Sequence, residues 1–225
     1  MARKLVVWSL VTLLFLFSFT GGAHAMGKLV SMQEKLVVIP YYDTTYYGYV
    51  FAELTNSGDK PVAFANGLME LFDPEGNSLA SSPIYYCYPS VLQPGETGYV
   101  YGSSYVEAPN PEHIDDFMLS ITGQGTISQT ITRLESTARF ETVEDSYGSY
   151  NYLVAEIKNT LDAPLTSFEV AYAVKDEAGG LLCVTSSSWS GYNVGIMPGS
   201  AAEMRYQLES GFSAYMHDNQ IVPAT

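Results

Sequence analysis

Acidic side chains and tyrosines are the residues of this chain that could do chemistry. Asp115-Asp116 and Glu144-Asp145 are adjacent carboxylate pairs, and glycoside hydrolysis needs two carboxylates facing each other across a cleft. Neighbours in sequence do not face each other in that way, so both pairs read as solvated loop charge. Asp73, Glu75 and Asn77 offer oxygen donors close together. Their loop lacks the twelve-residue frame and closing bidentate Glu of a calcium-binding EF-hand. Cys87, Cys183, His113 and His217 stand at unrelated spacings, which no zinc site uses. The chain has no G-x-S-x-G elbow, no phosphate-binding glycine loop and no H-E-x-x-H helix. It is therefore read as non-enzymatic, with no cofactor and no metal.

Tyrosine is the distinctive residue, with 18 in the chain. They cluster as Tyr41, Tyr42, Tyr46, Tyr47 and Tyr49, then Tyr85, Tyr86 and Tyr88, then Tyr99, Tyr101 and Tyr105. A tyrosine ring brings broad apolar area and a hydroxyl at low entropic cost, which suits protein interfaces and sugar stacking. The same rings can also pair across strands and cover a seam within the fold. All three uses stay open from sequence.

The elements that must carry these residues are written twice. Tyr47–Asn56 reads without a gap against Tyr150–Asn159, an offset of 103. The identity continues through Asp59, Pro61, Asp73, Gly76 and Leu79, which recur as Asp162, Pro164, Asp176, Gly179 and Leu182. Pro94-Gly95 recurs as Pro198-Gly199, one residue further on. A period this long duplicates a whole domain rather than a solenoid unit. The expected organisation is a leader at 1–25, a first domain at 27–123, a linker at 124–133 and a second domain at 134–225.

Short β-branched and aromatic runs separated by turn formers fill both copies. They include Lys35–Ile39, Tyr47–Leu54, Leu68–Phe72, Tyr85–Tyr88, Gly98–Tyr101 and Phe117–Ile121. In the second copy they are Ala138–Val143, Tyr150–Ile157, Phe168–Val174, Leu181–Thr185 and Glu203–Leu208. Only Pro111–Met118 and Gly211–Asp218 hint at a helical turn. The expected fold is all-β, two tandem immunoglobulin-like sandwiches. Asp73-Pro-Glu-Gly76 and Asp176-Glu-Ala-Gly179 suit type I turns. Asn56 and Asn159 close strands, where Asn takes a left-handed backbone or bonds its own turn.

Alternation separates the faces of the duplicated strand. Val50, Ala52 and Leu54 share one side, as do Leu153, Ala155 and Ile157. Tyr47, Tyr49, Phe51 and Glu53 share the other, as do Tyr150, Tyr152, Val154 and Glu156. Glu at the end of each second row marks that side as the expected outer face. Tyr47, Tyr49, Phe51, Tyr150 and Tyr152 are thus the candidate binding residues. What covers the first row is either an outside partner or the second domain.

Strand, Asn, Asp-x-Pro, strand, Asp-x-x-Gly, strand, Pro-Gly and strand, in that order, resemble the FxLYD family of bacterial extracytoplasmic domains. The family motif stands here as Met69-Glu-Leu71-Phe72-Asp73, with Met for Phe and Phe for Tyr. The second copy, Tyr172-Ala-Val174-Lys175-Asp176, keeps the aromatic start and the Asp. The resemblance covers most of residues 34–221. It implies an immunoglobulin-like sandwich, secreted or at the cell surface, and it brings no catalytic residues.

Residues 1–25 have the secretory pattern. Arg3 and Lys4 precede an apolar run from Leu5 to Phe19, and Ala23-His24-Ala25 ends it, so the exported chain is expected to begin at Met26. No later stretch is apolar for long enough to span a membrane. Loss of Arg3 and Lys4 takes the formal charge from −14 to −16, a field that repels nucleic acid. Cys87 and Cys183 fall at non-equivalent places, one per copy, which leaves two buried thiols or one bridge between the copies. No N-x-S/T acceptor occurs, and the reading leans to a bacterium. The expected role is a non-catalytic secreted or cell-surface interaction or adhesion module, whose partner is a protein or glycan at the cell surface. A carbohydrate-binding protein using exposed tyrosines and a structural cell-envelope factor are the alternatives.

Overall fold

The structure, a computed structural model, describes residues 27–125, 131–146, 148–190, 195–208, 212, 215 and 222–223. The leader and linker residues 126–130 lie outside these residues. In the first half the strands are β1 (Leu29–Tyr42), β2 (Thr45–Asn56), β3 (Val62–Phe72), β4 (Ser78–Ile84), β5 (Cys87–Tyr88), β6 (Val91–Leu92), β7 (Thr97–Glu107) and β8 (Asp116–Gly125). The second half has β9 (Glu135–Asp145), β10 (Gly148–Lys158), β11 (Ser167–Lys175), β12 (Leu181–Ser190), β13 (Ala201–Gln207) and β14 (Val222–Pro223). The fold is all-β and sandwich-type, built from antiparallel sheets. No helix among the described residues is long and apolar enough to cross a membrane.

The duplication reappears as strand order. The first sheet runs β1-β2-β7-β5 and the third β13-β10-β9, so β9-β10-β13 repeats β1-β2-β7. The second sheet runs β4-β3-β6 with β8 also on β3, and the fourth runs β12-β11-β14. Leu165 bridges Ile196 where Val62 pairs with Leu92. Three sequence expectations change. β4 forms from Ser78-Leu-Ala-Ser-Ser-Pro-Ile84, which carries no strand signal, because β3 and the core below offer it a partner. The helical hint at Pro111–Met118 reduces to a 3-10 turn at Pro111–His113, and Asp116–Met118 begins β8. Gln124 and Gly125, expected in the linker, end β8 opposite Ala63 and Val62.

The aliphatic rows face inward as the alternation requires. Val50, Ala52 and Leu54 pack with Met69, Leu71, Ile84 and Val100 between the first and second sheets. Leu153, Ala155 and Ile157 pack with Tyr172, Val174 and Cys183 between the third and fourth. Both hairpin turns have the expected form. Gly76 and Gly179 donate to the carbonyls of Asp73 and Asp176 at 2.9 and 3.0 Å, with φ of 82° and 85°, where glycine is favoured. The Asp73 carboxylate is used within its turn, accepting from Asn77 N at 2.7 Å and Asn77 Nδ2 at 2.8 Å. Those bonds, the Asn77 side-chain one foremost, hold its pKa below the ordinary value.

Asn56 and Asn159 are fully buried and bond their own turns with ordinary negative-φ backbones. Asn56 Oδ1 accepts from Lys28 N at 3.1 Å and Gly58 N at 3.0 Å. Its Nδ2 donates to Lys60 O at 2.8 Å and Leu92 O at 3.0 Å. Asn159 repeats the arrangement, donating to Ala163 O and Ile196 O and accepting from Leu161 N. Each asparagine thus ties the Asp-x-Pro turn to the chain just before the Pro-Gly turn.

Cys87 and Cys183 sit in different cores, both buried and unbridged. Burial pushes each thiol from an ordinary 9.0 up to about 12. The folded state holds both protons more tightly than the unfolded chain does. Their contribution is therefore complete below pH 9 and is lost as pH rises from there to about 12. At pH 10 the expected loss is about 1 kcal/mol per thiol, read as a lower urea midpoint than at pH 8. Equal midpoints, or rapid labelling of the folded chain by a thiol reagent, would contradict this.

Candidate functional site

The row Tyr47-x-Tyr49-x-Phe51-x-Glu53 does not stand free. Phe51 is 1% exposed, and of the two covers open to the row it is the second half that lies over this ring. The fourth sheet covers it. β12 lies against β1, β2 and β7, and Phe51, Val37 and Ile39 join the core of the second half. Leu181 through Thr185 are all buried, as a strand covered on both faces should be. β11 and β12 turn Ala171, Ala173, Val184 and Ser186 to this side, where the tyrosines of the first half meet Ser186. Tyr101 OH lies 3.3 Å from Ser186 Oγ, which donates to Tyr88 OH at 2.9 Å.

Polar clasps frame this seam. Gln33 Oε1 accepts from Leu181 N at 2.8 Å, and its Nε2 donates to Gly179 O at 3.3 Å. Lys175 Nζ pairs with Glu53 Oε2 at 2.5 Å and sits 5.8 Å from the Tyr99 ring centre. The bond to Glu53 raises the Lys175 pKa, while burial raises that of Tyr99. Glu53 was the sequence marker of an outer face. It points outward from its own sandwich, as read, but into a second layer that supplies a lysine. Arg133 adds an ion pair to Glu96 and a bond to Val91 O at 3.4 Å.

Tyr49 is half-buried and meets Phe212 edge-on, ring centres 4.6 Å apart. Tyr47 lies further along the row, half-buried, its hydroxyl bonded to that of Tyr105. Around it the surface opens. Tyr41, Tyr42 and Tyr105 are 60%, 78% and 53% exposed. The Tyr41 ring lies 5.0 Å from Tyr47 and 5.2 Å from Tyr105, with planes crossed at 68° and 60°. Tyr47 and Tyr105 are 4.1 Å apart. β1, β2 and β7 bring the Tyr41, Tyr47 and Tyr105 rings together, since Ile39 and Tyr105 both pair with Tyr47. The sequence held that signal, tyrosines at matching places of three strands, but only the strand order joins Tyr105 to the group. Asp43 and Glu107 are exposed beside it. A smaller exposed pair, Tyr85 and Tyr86, leads to Tyr88.

Tyr150 and Tyr152 are half-buried on the outer face of the third sheet, the place that Tyr47 and Tyr49 hold in the first. Tyr152 OH donates to Gln207 Oε1 at 3.4 Å. Val154, the counterpart of Phe51, is also buried, but under charged side chains instead of a sheet. Arg139 binds Glu203 at 2.6 Å and Glu141 at 3.2 Å, and Arg205 binds Glu141 at 3.2 Å and Glu203 at 3.6 Å. This ring of alternating charge lays aliphatic stems over the valine. It also holds Glu203 below its ordinary pKa and Arg139 above its own.

The Asp145 side chain of the second carboxylate pair lies outside the described residues. Asp116 Oδ1 accepts from Phe117 N at 2.8 Å, and Asp115 and Glu144 are exposed. His113 ends the 3-10 turn and its backbone N donates to the capping side chain of Asn110 at 3.0 Å, and His217 lies outside the described residues. Among the described residues no three His, Cys, Asp or Glu side chains gather as a metal cage would require. No known family model matches the chain, and no curated protein matches it.

Proposed function

We propose that this chain is a non-catalytic bacterial interaction module, exported and held at the cell envelope or released from it, built as two FxLYD-like immunoglobulin-type sandwiches. The observation that carries this reading is the group of Tyr41, Tyr47 and Tyr105 at one end of the first sheet, with Tyr41 and Tyr105 more than half exposed. Exposed aromatic groups of this kind are what protein hot spots are made of. Their crossed planes suit an interlocking protein surface better than a sugar ring, which stacks best on coplanar rings. The nearly coplanar pair, Tyr49 and Phe51 at 10°, is taken up by the seam. Asp43 and Glu107 beside the group, and the overall acidity, favour a partner with basic residues around an apolar centre.

The test is capture on immobilised mature protein from the culture medium and envelope of the source organism, beside a Tyr41→Ala/Tyr105→Ala variant. Both rings are more than half exposed, so the variant should keep its melting temperature and lose partner binding. Truncation of two interface aromatics is expected to cost about 2–4 kcal/mol of binding energy. Equal capture by both proteins, or a strong fall in melting temperature, would remove the tyrosine group as the binding surface.

A further inference from the structure

Two tyrosines of the first sheet are placed to react with each other. Tyr47 and Tyr105 pair directly across β2 and β7, so their side chains leave the same side of the sheet. Their ring centres lie 4.1 Å apart with planes 37° from parallel, and their hydroxyls bond to each other. Rings this close, with hydroxyls in contact, bring together the carbons beside those hydroxyls. Tyr41 completes the group, 60% exposed and with its ring centre 5.0 Å from that of Tyr47. Tyr85 and Tyr86 are more exposed still, but their ring centres are 6.4 Å apart and their planes cross at 63°.

Phenols lose one electron readily, and the radicals that result couple at the carbons beside the oxygen. Holding both rings together turns the meeting of two radicals into a step within one chain. Tyr105 is 53% exposed, so an oxidant reaches the pair directly or through the Tyr41 ring. The cysteines supply no covalent tie here, since Cys87 and Cys183 sit in different cores and are unbridged. A bond between Tyr47 and Tyr105 spans 58 positions of the chain and restrains its unfolded state as a disulfide does.

We propose that Tyr47 and Tyr105 are a dityrosine cross-linking site, oxidised by hydrogen peroxide through a haem peroxidase. The peroxidase takes one electron from each ring, and each phenol releases its hydroxyl proton. The two phenoxyl radicals join through one ring carbon beside each oxygen, forming a single C–C bond. The hydrogen on each joined carbon leaves as a proton and each oxygen regains one, so both phenols are restored. In sum two C–H bonds are lost, the peroxide O–O bond breaks, and its oxygens leave as two waters. The link uses two rings of the proposed binding group but needs no partner, so neither reading falls with the other.

The probe is hydrogen peroxide with a haem peroxidase, added to a dilute solution of the full mature chain. The main product should be a monomer lighter by two hydrogen atoms, with the blue fluorescence of a biphenol. Cleavage after glutamate should release residues 35–53 joined to residues 97–107, and fragmentation should place the bond between Tyr47 and Tyr105. Tyr105→Phe keeps the ring and removes the second phenol, so its yield of linked monomer should fall at least tenfold. The linked wild-type chain should show a higher urea midpoint, and the treated variant should not. Four outcomes would overturn the proposal: links only between chains, a main bond at Tyr85 or Tyr86, equal yield from the variant, or an unchanged midpoint in the linked chain. Should Tyr105→Phe fail to fold, the peptide map of the wild-type chain decides alone.

Discussion

Asn56→Ala is expected to lower the unfolding free energy by about 3–4 kcal/mol. The side chain makes four hydrogen bonds from a position with no solvent access. Lys28, Gly58 and Lys60 lie near the surface and can recover water. The Leu92 carbonyl is buried, and its loss carries the full desolvation penalty of an unmet acceptor. Asn56→Asp should be at least as harmful at neutral pH, because a carboxylate cannot donate to the carbonyls of Lys60 and Leu92. Its proton would be held more tightly in the folded state than in the unfolded chain. The Asp variant should therefore regain stability relative to wild type as pH falls below about 5, while the Ala variant should not. Urea midpoints of both variants at pH 7 and pH 4.5 check this. An Ala variant within 1 kcal/mol of wild type would show that the turn holds without its staple.

Much of this was legible in the chain, and the legible part is local. Inward rows such as Val50-x-Ala52-x-Leu54 follow from period-2 alternation, and the Asp73 and Asp176 turns from residue type. The offset of 103 residues implies the repeat of strand order. Asn56 was readable as a strand-closing, turn-bonding residue, but its bond to Leu92 spans 36 residues, and no local rule reaches so far. β4 was missed because Ser78–Ile84 owes its strand to its partner and not to its own propensity. Alternation sorts residues into two faces without saying what lies beyond each. Glu53 marked its face as solvent-facing, yet Lys175, 122 positions on, neutralises it at the seam. The same rule applied to Val154 met a different solution, a ring of four charges. Two rows alike in sequence thus have unlike surroundings, because only one is stacked on by the other half.

The second large effect is expected from that stacking. Phe51→Ala in the full chain should cost about 3–4 kcal/mol, as for a ring removed from a well-packed core. The ring is 1% exposed and touches Tyr49 and Phe212, with centres 5.9 Å from each. Yet the inner core of the first half, from Val50 to Val100, does not contain it. A fragment of residues 27–125 keeps β1 to β8 and that core, and should unfold cooperatively. In the fragment Phe51 loses the sheet that covers it, so the same substitution should change stability by less than about 1 kcal/mol. Exposing Phe51, Val37, Ile39 and Tyr101 together creates an apolar face that soluble monomers seldom carry. The wild-type fragment should therefore self-associate by ultracentrifugation, and its Phe51→Ala form less so. The opposite pattern, with equal cost in fragment and full chain, would place Phe51 within the first half's own packing. Burial by the second half is then not what holds the ring. The seam would be a loose contact, and the outer row of β2 would again be available to a partner.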